Sequence, residues 1–124
     1  MRKLLVIDDS PTSRAIVERL IGATYELVSV AGGAAALEAI EAQRFDLVLL
    51  DLLMPDMDGK IVLVRIKESH PELPVVIMTA DIQDSTRVKV LSLGAEVMIN
   101  KPLLKDNLTD AIELALGRHA GASD

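Results

Sequence analysis

Five short apolar runs in this chain end on residues able to do chemistry. LLVIDD ends in Asp8 and Asp9, DLVLLD in Asp51 and PVVIMT in Thr79, while EVMINKP carries Lys101 followed by Pro102. If these runs are neighbouring parallel strands, three carboxylates, a hydroxyl and an ammonium converge on one rim of one sheet. Carboxylates gathered in this way repel. At a separation of roughly 4 Å and an effective dielectric of about 20, each like-charge pair costs about 4 kcal/mol. A divalent cation and a lysine are the natural compensation, and hard oxygen donors at an open, hydrated site suit Mg2+. Asp51 can then act as a nucleophile toward phosphorus, giving an aspartyl phosphate beside the metal. The Thr79 hydroxyl can donate to a phosphoryl oxygen, and Lys101 can pair with one as a point charge.

Each residue also has an ordinary reading. Aspartates cap helices and fill turns, threonine favours strands, and a lysine after an edge strand is usually solvated. The joint position of the five outweighs these readings. Ser10 already provides a cap before Pro11, so the two acids ahead of it are superfluous as caps. Pro55, Asp56, Asp58 and Gly59 read as turn chemistry and a helix cap, and Met54 and Met57 as packing. His70 and His119 lie away from the set and receive no role.

The elements that must position these residues follow from periodicity. Apolar runs of four to six residues alternate with longer amphipathic stretches, which is the pattern of βαβ units around a parallel sheet. The strands are expected at about 3–7, 26–30, 47–50, 75–78 and 97–99. Helices are expected after each: from Pro11, from about Ala34, after the loop that ends at Gly59, after a cap at Asp84 or Ser85, and from about Lys105 to Leu116. Right-handed crossovers place helices on both faces. The fold class is α/β, a doubly wound five-stranded parallel sheet with five helices, whose ligands sit beyond the carboxyl ends of the strands. Residues 1–117 form one domain, and 118–124, small and polar, form a short flexible tail.

The bulk properties exclude several classes. The 124 residues are 50% hydrophobic and 26% charged, with a net charge of −6, an ordinary balance for a globular domain but a poor one for nucleic-acid phosphates. There is no cysteine, hence no disulfide and no thiolate metal site. The apolar run behind Arg2 and Lys3 is only four residues long, too short for a signal peptide or a membrane span. The expected setting is cytoplasmic, with no membrane contact.

In order along the chain, VIDDSPTSR, LLDLLMPDMDGK, VVIMTAD and GAEVMINKP resemble the receiver domain of two-component response regulators. The resemblance implies a CheY-like, flavodoxin-like sheet of order 2-1-3-4-5 and a cis Lys101–Pro102 bond. It implies Asp51 as phosphoacceptor, Asp9, Asp51 and the Leu53 backbone carbonyl as direct Mg2+ ligands, and Asp8 acting largely through water. Thr79 and Lys101 would hold phosphoryl oxygens. The donor would be a histidine kinase or a phosphotransfer protein; a phosphatase and an unidentified output protein are further expected partners. The protein would be a phosphoacceptor rather than an enzyme. With no output domain after the last helix, it would signal by contact, as in chemotaxis, or pass its phosphate along a phosphorelay.

Two positions depart from the family pattern or tune it. Met98 stands where receivers commonly carry the Tyr or Phe that moves with the threonine. Together with Leu103 and Leu104 it is expected to form an apolar strip that serves as the output face. Leu53 offers a hydrolytic water no hydrogen bond, so the phosphate is expected to persist, with Asp81 expected to approach that water from the other side. The rival readings are a receiver-like module that binds partners without phosphate and a haloacid-dehalogenase-like phosphatase. The first predicts loss of Asp51, Lys101 or the acidic pair. The second requires its nucleophile in the first strand with a second acid two residues later, whereas Asp8 and Asp9 are adjacent and followed by Ser10.

Overall fold

Runs of four or five Leu, Val and Ile residues bounded by turn formers are too short for helices and become strands. The longer stretches between them have room for helices that cross back over the sheet. A computed structural model describes the backbone of residues 1–122 and the side chains of residues 1–117. Its elements are β1 (Lys3–Ile7), α1 (Pro11–Ile21), β2 (Glu26–Val30), α2 (Gly33–Ala42), β3 (Leu47–Asp51), α3 (Gly59–Ser69), β4 (Val75–Thr79), α4 (Asp84–Ser92), β5 (Val97–Asn100) and α5 (Lys105–Ala122). The strands form one parallel sheet in the order β2-β1-β3-β4-β5. The order in which strands are added reverses between β1 and β3, β2 lying outside β1 and β4 outside β3, so the carboxyl ends of β1 and β3 flank the crevice where such folds bind ligands.

Both faces of the sheet are buried, and strand alternation divides the core in two. Leu5, Ile7, Val48, Leu50, Val75 and Ile77 face α2, α3 and α4, packing with Ala36, Ile40, Val62, Leu63, Ile66 and Val90. Their neighbours Leu4, Val6, Leu47, Leu49, Val76 and Met78 face α1 and α5, packing with Val17, Ile21, Leu108, Ile112 and Leu116. The central strands β1, β3 and β4 have almost no exposed residue, which accounts for their unbroken apolar sequences.

Helix starts and stops follow local chemistry. Ser10 caps α1, its hydroxyl accepting from the Ser13 N–H, with Pro11 in the first turn. Asp58 caps α3 by accepting from the Lys60 N–H. The start of α4 differs from expectation: neither Asp84 nor Ser85 is its cap. Gln83 occupies that place without accepting from a helix N–H, and its own N–H donates to Asp81. Gly94, at φ +110, ends α4 in the left-handed region that favours glycine. The last helix continues six residues past Leu116 to Ala122, because elongating a packed helix needs no new nucleus. The flexibility expected of 118–124 falls on side chains and residues outside the described ones. No helix among the described residues is long and apolar enough to cross a membrane.

Candidate functional site

Strands β3, β4 and β5 each run one residue beyond the apolar segment, so Asp51, Thr79 and Asn100 belong to the strand ladders themselves. Asp51 stands beside Met78, and Thr79 beside Asn100. Asp51 is therefore placed by a rigid sheet rather than by a loop. Close approach from α3 holds the other side. A Cβ at Gly59 would lie 2.6 Å from Leu52 Cα and 2.8 Å from the Asp51 carbonyl oxygen, so only glycine lets the start of α3 press against this strand end.

Asp8, Asp9 and Asp51 each bring a carboxylate oxygen to within 4.8 Å of the others. Asp8 is fully buried and Asp51 is 6% exposed; Asp9 is the more open of the three. Both Asp8 oxygens already accept hydrogen bonds, one from the Ser10 N–H at 2.9 Å and the other from Lys101 Nζ at 3.1 Å. The Asp8 carbonyl accepts from Arg14 Nη1 at 2.7 Å, and its N–H donates to Val30, which pins the acidic turn to α1 and β2.

Lys101 Nζ reaches across the sheet to Asp8 Oδ2, to Ser13 Oγ at 3.2 Å and to Asp51 Oδ2 at 3.4 Å. The Lys101–Pro102 bond preceding α5 is cis. Asp51 Oδ1 accepts from the Leu53 N–H at 3.2 Å. Burial raises the Asp51 carboxyl above the usual aspartate range. The Leu53 N–H and the Lys101 ammonium pull it back down, and Asp8 pushes it further up. One ammonium among three carboxylates leaves the cluster negative. Its donors are all hard oxygens, and the set fits a divalent cation such as Mg2+.

Thr79 is fully buried at the end of β4. Its Oγ accepts from the Asp81 N–H at 3.1 Å, and no hydrogen bond among the described residues uses its proton. A groove of about 450 Å3 beside it is lined by Leu52, Leu53, Pro55, Lys60, Asp81 and Thr86, among others. The Asp81 carboxylate lines the same groove as Leu53 and Thr79 and is already engaged locally. It accepts from the Thr86 hydroxyl at 2.6 Å and the Gln83 N–H at 2.9 Å. These bonds, the hydroxyl first, hold it below the ordinary carboxylate range.

The structure therefore brings Asp8, Asp9, Asp51 and Lys101 together, with Thr79 on the adjacent strand end. It does not bring Met98, Leu103 and Leu104 into one strip. Met98 is 3% exposed and shares the face of its register partner Ile77, under α3 and α4. Leu103 packs against the opposite core, and Leu104 is 60% exposed. Strand alternation and the turn after Lys101 separate the three. Leu53 is open, at 64% exposure.

Ser13, Arg14 and Asn100 are additions to the sequence reading, and Asp56, read there as turn chemistry and a cap, serves a different helix from the one that follows it. Ser13 and Arg14 were within reach of it, because the Ser10–Pro11 helix start puts them in the first turn of α1. Asp56 accepts from the Gly33 N–H at 3.0 Å and so caps α2, a helix distant in sequence whose own cap, Gly32, has no side chain.

The architecture is that of a flavodoxin-like, doubly wound α/β domain with an acidic, lysine-bearing rim at its ligand-binding end. The family model described as response regulator receiver domain matches residues 4–113, and the chain belongs to that family. It is similar to the transcriptional regulatory protein ZraR of Escherichia coli, 41% identical over 114 residues, which are 91% of this chain and 26% of that protein. It is 36% identical to the DNA-binding transcriptional regulator NtrC of Escherichia coli over 115 residues, 92% of this chain and 24% of that protein. The chain thus spans about a quarter of the length of these curated relatives. Among solved structures, NtrX from Brucella abortus superposes with a TM-score of 0.92 at 31% identity, covering 98% of this chain and 28% of that one. A CheY-like receiver domain protein from Methanospirillum hungatei, 24% identical, shares the fold with a TM-score of 0.91 and 98% coverage of both chains.

Proposed function

We propose that this receiver domain accepts a phosphoryl group on an Asp51 carboxylate oxygen. The donor is the phosphohistidine of a histidine kinase or phosphotransfer protein. The Asp51 oxygen attacks phosphorus while the phosphorus–nitrogen bond breaks, and the electron pair leaves with the imidazole. Lys101 then moves its hydrogen bond from Asp51 to a phosphoryl oxygen, keeping Asp8 and Ser13 as anchors. The unused Thr79 proton serves a second phosphoryl oxygen. Asp9, Asp51 and the Leu53 carbonyl would hold Mg2+, which when bound neutralises charge on the transferring group. Asp8, whose two oxygens are already engaged, acts on it through water.

The observation that carries this reading is the reach of Lys101 Nζ to Asp8 and Asp51 together, at 3.1 and 3.4 Å, over a nearly buried carboxylate. Retention of the acids and the lysine argues against a phosphate-independent binding module. In a cytoplasmic setting the phosphorylated domain reports by contact with an output protein or by onward relay, and a phosphatase that binds beside Leu53 resets it. Direct nucleic-acid contact by these residues is not part of the proposal, since the chain carries a charge of −6. Acetyl phosphate with Mg2+ followed by mass spectrometry tests the reading. Wild type gains one phosphate and Asp51→Asn gains none; an equal gain by both proteins overturns it.

A further inference from the structure

Asn100 closes β5 directly opposite Thr79, its register partner on β4. Its side-chain nitrogen lies 2.9 Å from the Asp81 carbonyl oxygen and 3.4 Å from the Thr79 carbonyl oxygen. Both partners are acceptors, so the amide must present its NH2 group to them rather than its oxygen. The backbone adds a parallel tie, with the Lys101 N–H donating to the Thr79 carbonyl at 2.8 Å.

Asp81 is in turn the residue whose N–H donates to Thr79 Oγ. Its carbonyl is held by Asn100, and its carboxylate by Thr86 and the Gln83 N–H. Every polar group of Asp81 is thus engaged, and the N–H aimed at Thr79 has little freedom to move. A hydroxyl whose lone pair is pinned in this way has few directions left for its proton. In Thr79 that proton is buried and otherwise unused.

We propose that Asn100 is a positioning residue for phosphoryl transfer. By fixing Asp81, it sets the orientation of the Thr79 hydroxyl, so that the proton points at the phosphoryl oxygens rather than away from them. The proposal rests on Asp51 being the phosphoacceptor. Asn100 touches neither Asp51 nor the transferring group; it acts through Asp81 on Thr79. The residue type matters. Aspartate of the same shape would set a carboxylate against two carbonyl oxygens, alanine would leave the Asp81 carbonyl without its side-chain donor, and glutamine would keep the donor on a longer arm. Orientation of a group that bonds to the transferring oxygens is worth most in the transition state, where small misplacements cost up to roughly a hundredfold in rate.

The test is a double-mutant cycle on the full chain, reading the rate of phosphorylation by acetyl phosphate and the dissociation constant for Mg2+. Asn100→Ala is expected to slow phosphorylation about tenfold with Mg2+ affinity unchanged, and Asn100→Gln to recover most of the rate. Thr79→Ala is expected to slow it at least as much. The double variant should be no slower than Thr79→Ala alone, because Asn100 acts only through that hydroxyl. Multiplying losses in the double variant overturn the proposal, as does a wild-type rate for Asn100→Ala. If Asn100→Ala does not fold, Asn100→Asp replaces it in the same cycle with the same expectation. Phosphate appearing on Asp51→Asn as on wild type would strike at Asp51 itself, separately from anything Asn100 does.

Discussion

The two ends of the sheet handle shielded charge in opposite ways. At the amino end, Lys67 of α3 donates at 2.7 Å to both Glu96 and the Leu73 carbonyl, and Glu96 also accepts from the Val75 N–H at the start of β4. One cation meets one carboxylate, and the pair ties α3 to the entries of β4 and β5. At the carboxyl end, Lys101 meets Asp8 and Asp51, and Asp9 adds a third carboxylate to the cluster. The ammonium–carboxylate distances there are also longer, 3.1 and 3.4 Å against 2.7 Å. A matched pair is complete as it stands and serves structure. The mismatched cluster holds an excess of negative charge that an added cation or a proton on Asp51 relieves, and its looser lysine is free to change partners.

Substitutions at the two ends should have separable effects. The largest effect should come from Lys101→Ala, which removes the one cation at the mismatched end. Phosphorylation by acetyl phosphate should slow by roughly 10²- to 10³-fold, in the range for loss of one preorganised donor to transition-state charge. Lys67→Met should instead lower stability by about 3 kcal/mol, at the low end for breaking a shielded pair. This would be read from urea unfolding, with the phosphorylation rate unchanged. A rate loss in Lys67→Met would erase the distinction between the two ends. Addition of Mg2+ should raise wild-type stability by about 1.4 kcal/mol at ten times its dissociation constant. Lys67→Met should keep this gain, and Asp9→Asn and Asp51→Asn should lose it.

The smallest effect concerns pH. The Asp51 carboxyl is raised by burial, so the folded protein favours its neutral form. Its contribution to stability is full below the aspartate value of the unfolded chain and is lost as pH rises through the higher folded value. Without divalent cation, Asp51→Asn should therefore unfold at higher urea than wild type at pH 7, and the two should converge in acid. A wild type that is more stable than Asp51→Asn at pH 7 would show that Lys101 already offsets the excess charge.

Most of the fold was legible because each strand is a short apolar run and each turn carries Pro, Gly, Ser or Asp. The site was legible for the same reason: strand ends are local features, and parallel order alone brings them together. What escaped were contacts between distant elements. Nothing adjacent to Asn100 marks its bonds to Thr79 and Asp81, and nothing near Asp56 marks its cap on Gly33, because both arise only when separate loops meet. Met98 was misplaced for a simpler reason. Its parity with Ile99 and Val97 assigns it to the opposite face from theirs, but that parity does not carry through the turn at Pro102 to Leu103. The α4 cap was missed because the nearby acceptor, Asp81, lies before the cap position.

The tight seat of Gly59 has a mechanical consequence. Backbone already touches backbone there, and Asp56 ties the middle of the same loop to the Gly33 N–H at the start of α2. The loop between Asp51 and α3 is thus fastened at its ends and at its middle, and any displacement of it has to break the Asp56 bond and so reaches α2 as well.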